Sequence, residues 1–111
     1  IRDSNGHTFI GSVMSDGVSG DDLRKIAIDL RSANSNSVVA LLSNNDGKPV
    51  LVVAVSDQSR ATGVKAGALV KIGSTVLGGG GGGKDDSAQG GGTDSSKSLD
   101  AIAAISQSLI G

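Results

Sequence analysis

Apolar residues recur along this chain in two alternating rhythms. Between Thr8 and Ser15, Phe9, Ile10, Val13 and Met14 predict a first strand. Ser19 then offers a side-chain oxygen to the free amides of a helix start. Asp21 and Asp22 follow in the first turn, where the helix dipole favours negative charge. Leu23, Ile26, Ala27 and Leu30 keep the spacing of one buried helical face, and Asn34 marks its end.

Two apolar runs come next, SVVALLS (Ser37 to Ser43) and PVLVVAVS (Pro49 to Ser56), on either side of NNDGK. Asp46-Gly47 tolerates the left-handed backbone of a tight turn, so the runs predict a hairpin. Each run is apolar at consecutive positions rather than alternate ones, which predicts burial of both faces. The first helix supplies one cover, and the other must come from downstream. A second helix is predicted over Gly63 to Leu77, with Val64, Ala68, Leu69, Ile72 and Val76 as its stripe. It should end in the run Gly78 to Gly83, because glycine breaks helices. Ser95 or Ser96 caps a last helix with the stripe Leu99, Ile102, Ala103, Leu109 and Ile110, and Ser87 to Gln89 is a candidate further strand. The predicted fold class is α/β: a small β-sheet layer covered by helices on both faces, in one domain over residues 1–111.

Composition removes several functions. Phe9 is the only aromatic residue, so the core must be aliphatic and base stacking on aromatic platforms is excluded. With no cysteine there is no disulfide or thiolate metal site, which fits a reducing cytoplasm, the expected location. The single histidine, His7, cannot build a multi-histidine metal site and reads as a surface residue. Glutamate is absent, and Asp85 and Asp86 are sequence neighbours, so a paired-carboxylate site would need another acid brought close. No catalytic residue and no cofactor are expected in this stretch. No apolar run approaches the roughly 20 residues that span a bilayer, and no membrane partner is expected. Ile1 is not an initiator methionine, and the chain is expected to be a piece of a longer protein.

The formal net charge is −1, yet Gln58 through Lys84 holds no acid and carries Arg60, Lys65, Lys71 and Lys84. A local basic surface on a neutral domain suits docking to a phosphate backbone; ordinary solvated charge is the alternative. Beside it stands GGGGGGKDDSAQGGG, in which nine of fifteen residues are glycine. Either the segment is a flexible connector, or its backbone comes close to a helix, a strand or a ligand. Gly78, Gly83 and Lys84 match G-x-x-x-x-G-K, but Asp85 stands where a nucleotide loop needs Ser or Thr, and the loop follows a helix. The dinucleotide pattern GxGxxG fails for want of a preceding strand. A third reading is an anion nest, with glycine amides and Lys84 around a phosphate.

The run VKAGALV (Val64 to Val70), then GGGGGGK, then SAQGGGTD (Ser87 to Asp94), resembles the C-terminal domain of alanyl-tRNA synthetases. That family carries V-x-A-G-x-L-V at a helix start, a glycine-rich loop ending in a basic residue, and A-Q-x-G-G-T before the last helix. The ordered combination carries the resemblance, which covers most of the chain from the first helix onward. A similar domain accompanies DHH-family phosphoesterases, where the glycine loop ends in histidine; Lys84 occupies that place here. The synthetases usually have Arg-Pro after the glycines, whereas Lys84-Asp85 stands here, so a bidentate fork becomes a point charge.

The resemblance implies a fragment of an alanine–tRNA ligase that binds the outer corner of alanine-specific tRNA and helps position it for aminoacylation and editing. It places the parent's ATP, magnesium and zinc in catalytic and editing domains upstream, and a homodimeric parent is a further expectation. The contact residues it and the charge pattern imply are Lys84, Lys65, Lys71, Arg60, Gly82, Gly83 and Gln89. A phosphoesterase substrate domain and a purely structural or oligomerisation module are the alternatives.

Overall fold

The predicted hairpin is the centre of the fold. A computed structural model of the chain describes residues 2–4, 7–14, 16–34 and 36–110; the side chains of Arg2, Asp3, Ser4, His7 and Ile110 lie outside that description. Strands β3 (Ser37–Asn45) and β4 (Lys48–Val55) pair antiparallel from Val38↔Val55 to Asn45↔Lys48. Their turn places Asp46 at φ 52° and Gly47 at φ 78°, the two successive left-handed residues that a two-residue turn demands.

Around the hairpin, β1 (Arg2–Ser4) and β2 (His7–Val13) lie on one side, and β6 (Ser87–Gly91) and β5 (Gly81–Gly83) on the other. The sheet order is β1-β2-β3-β4-β6-β5. The β2–β3 pair is parallel, because α1 (Gly20–Ala33) carries the chain back across the sheet between them. Ser19 caps α1 as expected, its hydroxyl accepting from the Asp22 amide at 3.1 Å.

Both faces of the hairpin are covered. Ile10, Val39, Leu41, Val52 and Ala54 turn toward Leu23 and Ala27 of α1. The alternate residues Phe9, Val38, Ala40, Leu42, Leu51, Val53 and Val55 meet α3 (Ala66–Val76) and α4 (Ser98–Ile110). The fold class is therefore the α/β sandwich that the apolar runs require.

Several elements differ from expectation. β1 has no apolar signal and was not foreseen. The second helix starts at Ala66 instead of Gly63, preceded by a short helix α2 (Asp57–Ala61) capped by Ser56. Gly63, at φ 100°, separates the two. Helix α3 buries Ala66, Leu69, Val70 and Gly73 toward the sheet and leaves Ala68 exposed. In α4 the buried residues are Ala101, Ile105 and Leu109, whereas Leu99 is 75% exposed and Ala103 faces solvent. Asp100 and Gln107, seven residues apart, take the solvent side, and the apolar Leu99 and Ala103 fall beside them. Before it, Asp94 accepts from the Ser96 amide at 3.1 Å, and hydrogen bonding to Ser96 holds its carboxyl below the usual value. The contribution of this cap is present above the ordinary carboxylate range and is lost as pH falls through the lowered value.

The glycine segment is part of the sheet, which is the close-approach reading and not the connector. Gly81 pairs with Gly90, and Gly83 with Ala88. Helix α3 lies directly against these strands. A β-carbon at Gly90 would collide with the Ser74 hydroxyl, one at Gly92 with the Leu77 carbonyl, and one at Gly81 with the Gly90 backbone. Gly73 on the helix itself would meet a Leu51 methyl at 2.6 Å.

Val52→Asp should remove most of the domain's stability, more than about 4 kcal/mol, because an unpaired carboxylate enters a fully buried layer. Chemical denaturation measures this, and an unchanged midpoint would reject the central placement of β4. Two adjacent glycines should behave in opposite ways. Gly81→Ala should cost about 1–3 kcal/mol through overpacking against immovable backbone. Gly82→Ala, with no atom within 4 Å of the added carbon, should be neutral or slightly stabilising in the same thermal melt.

Candidate nucleic-acid interface

Helix α1 spans β3 and β4 but stops short of the sheet edge formed by β6 and β5. On the opposite face α3 covers that edge, and Ala88, Gly90 and Gly81 turn toward it. By strand alternation Gln89 and Gly82 point the other way, to the side that α1 leaves open. No atom lies within 4 Å of where a side chain would project from Gly80 or Gly82. The result is an uncovered shelf of bare backbone.

Charged and polar groups frame this shelf. Arg24 on α1 donates from Nη2 to the Gln89 side-chain oxygen at 3.1 Å. Gly20, one turn earlier, is packed against the Gln89 amide, so the first turn of α1 and Gln89 hold each other. Lys84 leaves β5 at the turn, exposed, with its backbone amide donating to the Ser87 carbonyl at 3.0 Å. Arg24, Gly82, Gly83, Lys84, Ser87 and Gln89 line one open hollow of about 270 Å³.

Hydrogen bonds at Lys84–Ser87 and Gly91–Gly80 fix the alternation of the β5–β6 ladder. In an antiparallel pair the intervening residues turn their amides outward, here those of Gly81 and Gly83. Outward amides beside a lysine and an arginine form a concavity suited to an anion. Two carboxylates limit it, since Asp85 and Asp86 form the adjoining turn. An anionic ligand would therefore lie toward Arg24 and the shelf, away from the tip of the turn.

Of the residues expected to contact nucleic acid, the hollow brings together Lys84, Gly82, Gly83 and Gln89. Lys65 is the exposed N-cap residue of α3, next to the turn, since the Ala66 amide donates to the Asp85 carbonyl at 2.9 Å. Lys71 sits on the solvent side of α3, across the sheet from the shelf. Arg60 pairs with Asp57 and lines a separate hollow with Arg31, Ser56 and Gln58. The acid-free stretch is thus several surfaces, not one. Arg24 was missed by sequence reasoning, and so was Arg31, which donates to the Asp86 carbonyl at 2.9 Å. The one signal was their seven-residue spacing on α1, which places them on one side of that helix.

Lys84 is followed by a turn into β6 and not by a helix, so the nucleotide-loop reading lacks its anion-binding helix start. Among the described residues no group of three or more His, Cys, Asp or Glu could hold a metal ion. Among them, too, no helix is long and apolar enough to cross a membrane.

Residues 6–111 match the family model of the DHHA1 domain. An alanine–tRNA ligase of Arthrobacter sp. (strain FB24) is 50% identical over 91 residues, covering 79% of this chain and 10% of that protein. The alanine–tRNA ligase of Paenarthrobacter aurescens is 47% identical over 87 residues, again 10% of its length. The chain thus spans about a tenth of the curated relatives it matches. The crystal structure of the C-Ala domain from Aquifex aeolicus alanyl-tRNA synthetase superposes with a TM-score of 0.91 at 31% identity, over 99% of this chain and 97% of that one. RecJ from Thermus thermophilus shares the fold, with a TM-score of 0.66 at 17% identity over 91% of this chain and 14% of RecJ.

Proposed function

Because the chain belongs to the DHHA1 domain family and matches a C-Ala domain along its length, we propose that it is the tRNA-binding C-terminal domain of an alanine–tRNA ligase. The observation that carries the reading is the uncovered shelf where Lys84, Arg24 and Gln89 stand around bare glycine backbone. A folded tRNA presents phosphates and 2′-hydroxyls along its backbone, and single charges, an amide side chain and outward main-chain amides suit those groups. The lack of aromatic side chains argues for recognition of backbone and shape over stacked bases.

In this reading Lys84 and Arg24 neutralise phosphates, Gln89 is held by Arg24 and bonds a sugar or phosphate, and Gly82 and Gly83 admit the RNA backbone closely. Lys65 is a flanking contact, and Lys71 and Arg60 are outlying ones. The domain does no chemistry. It holds alanine-specific tRNA while domains elsewhere in the parent, working in the cytoplasm, aminoacylate it with ATP and magnesium and edit errors at a zinc site. A homodimeric parent would present two such shelves.

With three cations engaged, tRNA binding should weaken with salt at a log–log slope of about −2 to −3. Lys84→Ala should lower affinity roughly tenfold and flatten the slope by about one, while Lys71→Ala changes neither. Titration of folded tRNA at several salt concentrations measures both. Equal losses in the two variants would mean diffuse charge with no site at the hollow. If nothing binds, and the parent charges tRNA normally without the domain, a structural role replaces this one. Gly82→Val supplies a second test, since its side chain would project into open space. The variant should melt like the parent chain yet bind tRNA several-fold more weakly, and unchanged affinity would remove the shelf from the interface.

A further inference from the structure

The shelf sets one neutral side chain among its cations. Arg24 reaches Gln89 from α1, and Lys84 follows two residues after Gly82, the cross-strand partner of Gln89. That offset is about 7 Å of extended chain. Successive phosphates of a nucleic-acid strand are joined through a sugar, so phosphates held by Arg24 and Lys84 would leave a sugar facing Gln89 and Gly82. Gly82 makes room for it, with nothing within 4 Å of where a side chain would project.

Gln89 is held in one orientation. Its oxygen accepts from Arg24 Nη2 at 3.1 Å, which leaves the amide nitrogen as the end that donates to a ligand. The same side chain is seated on Gly20, the first residue of α1, where a β-carbon would stand 2.5 Å from Gln89 Nε2. Gly20 is not among the glycines with positive φ, so room for Gln89 is what its missing side chain provides. The strand edge alongside is mixed in character. Gly81 and Gly83 lie at the non-hydrogen-bonded pairs of the ladder, so they turn their carbonyls outward together with their amides. Carbonyl oxygens repel a phosphate but accept from a hydroxyl, and a 2′-hydroxyl both accepts and donates.

We propose that Gln89 is the residue by which the shelf recognises ribose, its amide nitrogen donating to a 2′-hydroxyl, and that Arg24 and Gly20 are the positioning residues that hold it there. The inference deepens the tRNA-binding reading above and rests on it.

Interference mapping with the full-length parent tests it. One tRNA pool carries sparse 2′-deoxy phosphorothioate nucleotides, a control pool carries ribose phosphorothioates, and iodine cleavage reads the substituted positions in the bound molecules. With the wild-type protein, deoxy substitution at one ribose should reduce binding. With Gln89→Leu that position should fall silent while interference elsewhere persists. Gln89→Leu should also weaken binding of unsubstituted tRNA about fivefold, the size of one neutral hydrogen bond, with the salt slope unchanged because no cation is lost. Gly20→Ala alters no charge and puts one carbon in the way of Gln89, so it should silence the same position; continued sensitivity there would remove Gly20 from the assignment. Deoxy patterns identical in wild type and Gln89→Leu would overturn the inference. So would a control-pool position that falls silent in Gln89→Leu, because that result puts a phosphate before the amide. Lys84→Ala separates the two readings. If it weakens binding while the deoxy patterns stay identical, only the ribose inference falls; if it too has no effect, the tRNA-binding reading falls with it.

Discussion

Where helix α3 crosses β5 and β6, main chain packs on main chain. A β-carbon at Gly92 would meet the carbonyl of Leu77 at the end of α3, one at Gly67 on the helix would lie 3.2 Å from the Gly83 carbonyl, and those at Gly81 and Gly90 would run into Val70 of α3 and each other's backbone. That closeness has two consequences for the sheet edge. It brings α3 low enough for Leu69 and Val70 to join the core under β4, and the far side of the same strands carries only Ser87 and Gln89 beside bare glycine. The core and the shelf are opposite faces of one packing solution, and the entropy lost in ordering glycine is its cost.

The asymmetry of the helices completes the arrangement. Two helices cover one face and α1 covers only the middle of the other, so β6 and β5 are packed by α3 on one side and open on the other. Arg24 reaches the shelf from α1 because Gly20 lets that helix settle onto Gln89. Side chains far apart in sequence therefore converge without any loop having to hold them. Asp85 and Asp86 confine the positive region to the Arg24 side of the turn.

Much of this was legible in the sequence, for identifiable reasons. The hairpin was marked by β-branched runs and by Asp46-Gly47, and α1 by Ser19 and a clean apolar stripe, since each signal is local. The glycine segment was ambiguous because the same composition serves a connector and a tight contact; the choice depends on α3, which lies across it. The phase of α4 was misread because Leu99 and Ala103 extend the apolar surface; Asp100 and Gln107, seven residues apart and both exposed, marked the solvent side. At the candidate site, Lys84, Gly82, Gly83 and Gln89 were named from the glycine motif and meet in one hollow. Charge density along the chain was a poorer guide. Lys71 and Arg60 fall on other surfaces, and Arg24 comes from a helix some sixty residues earlier, at a sequence separation of 65 from Gln89.

The outermost strand also bears on how the domain behaves at high concentration. An exposed sheet edge is a template on which other chains can stack, and proteins commonly guard it with charge, proline or a bulge. Here β5 is three residues of glycine ending at Lys84. It offers no side chains to interdigitate in a dry zipper, and a strand of glycine pays heavily in entropy to extend. The feature that keeps the shelf open to a ligand thus also makes the edge a poor seed for fibrils, so openness and solubility need not compete.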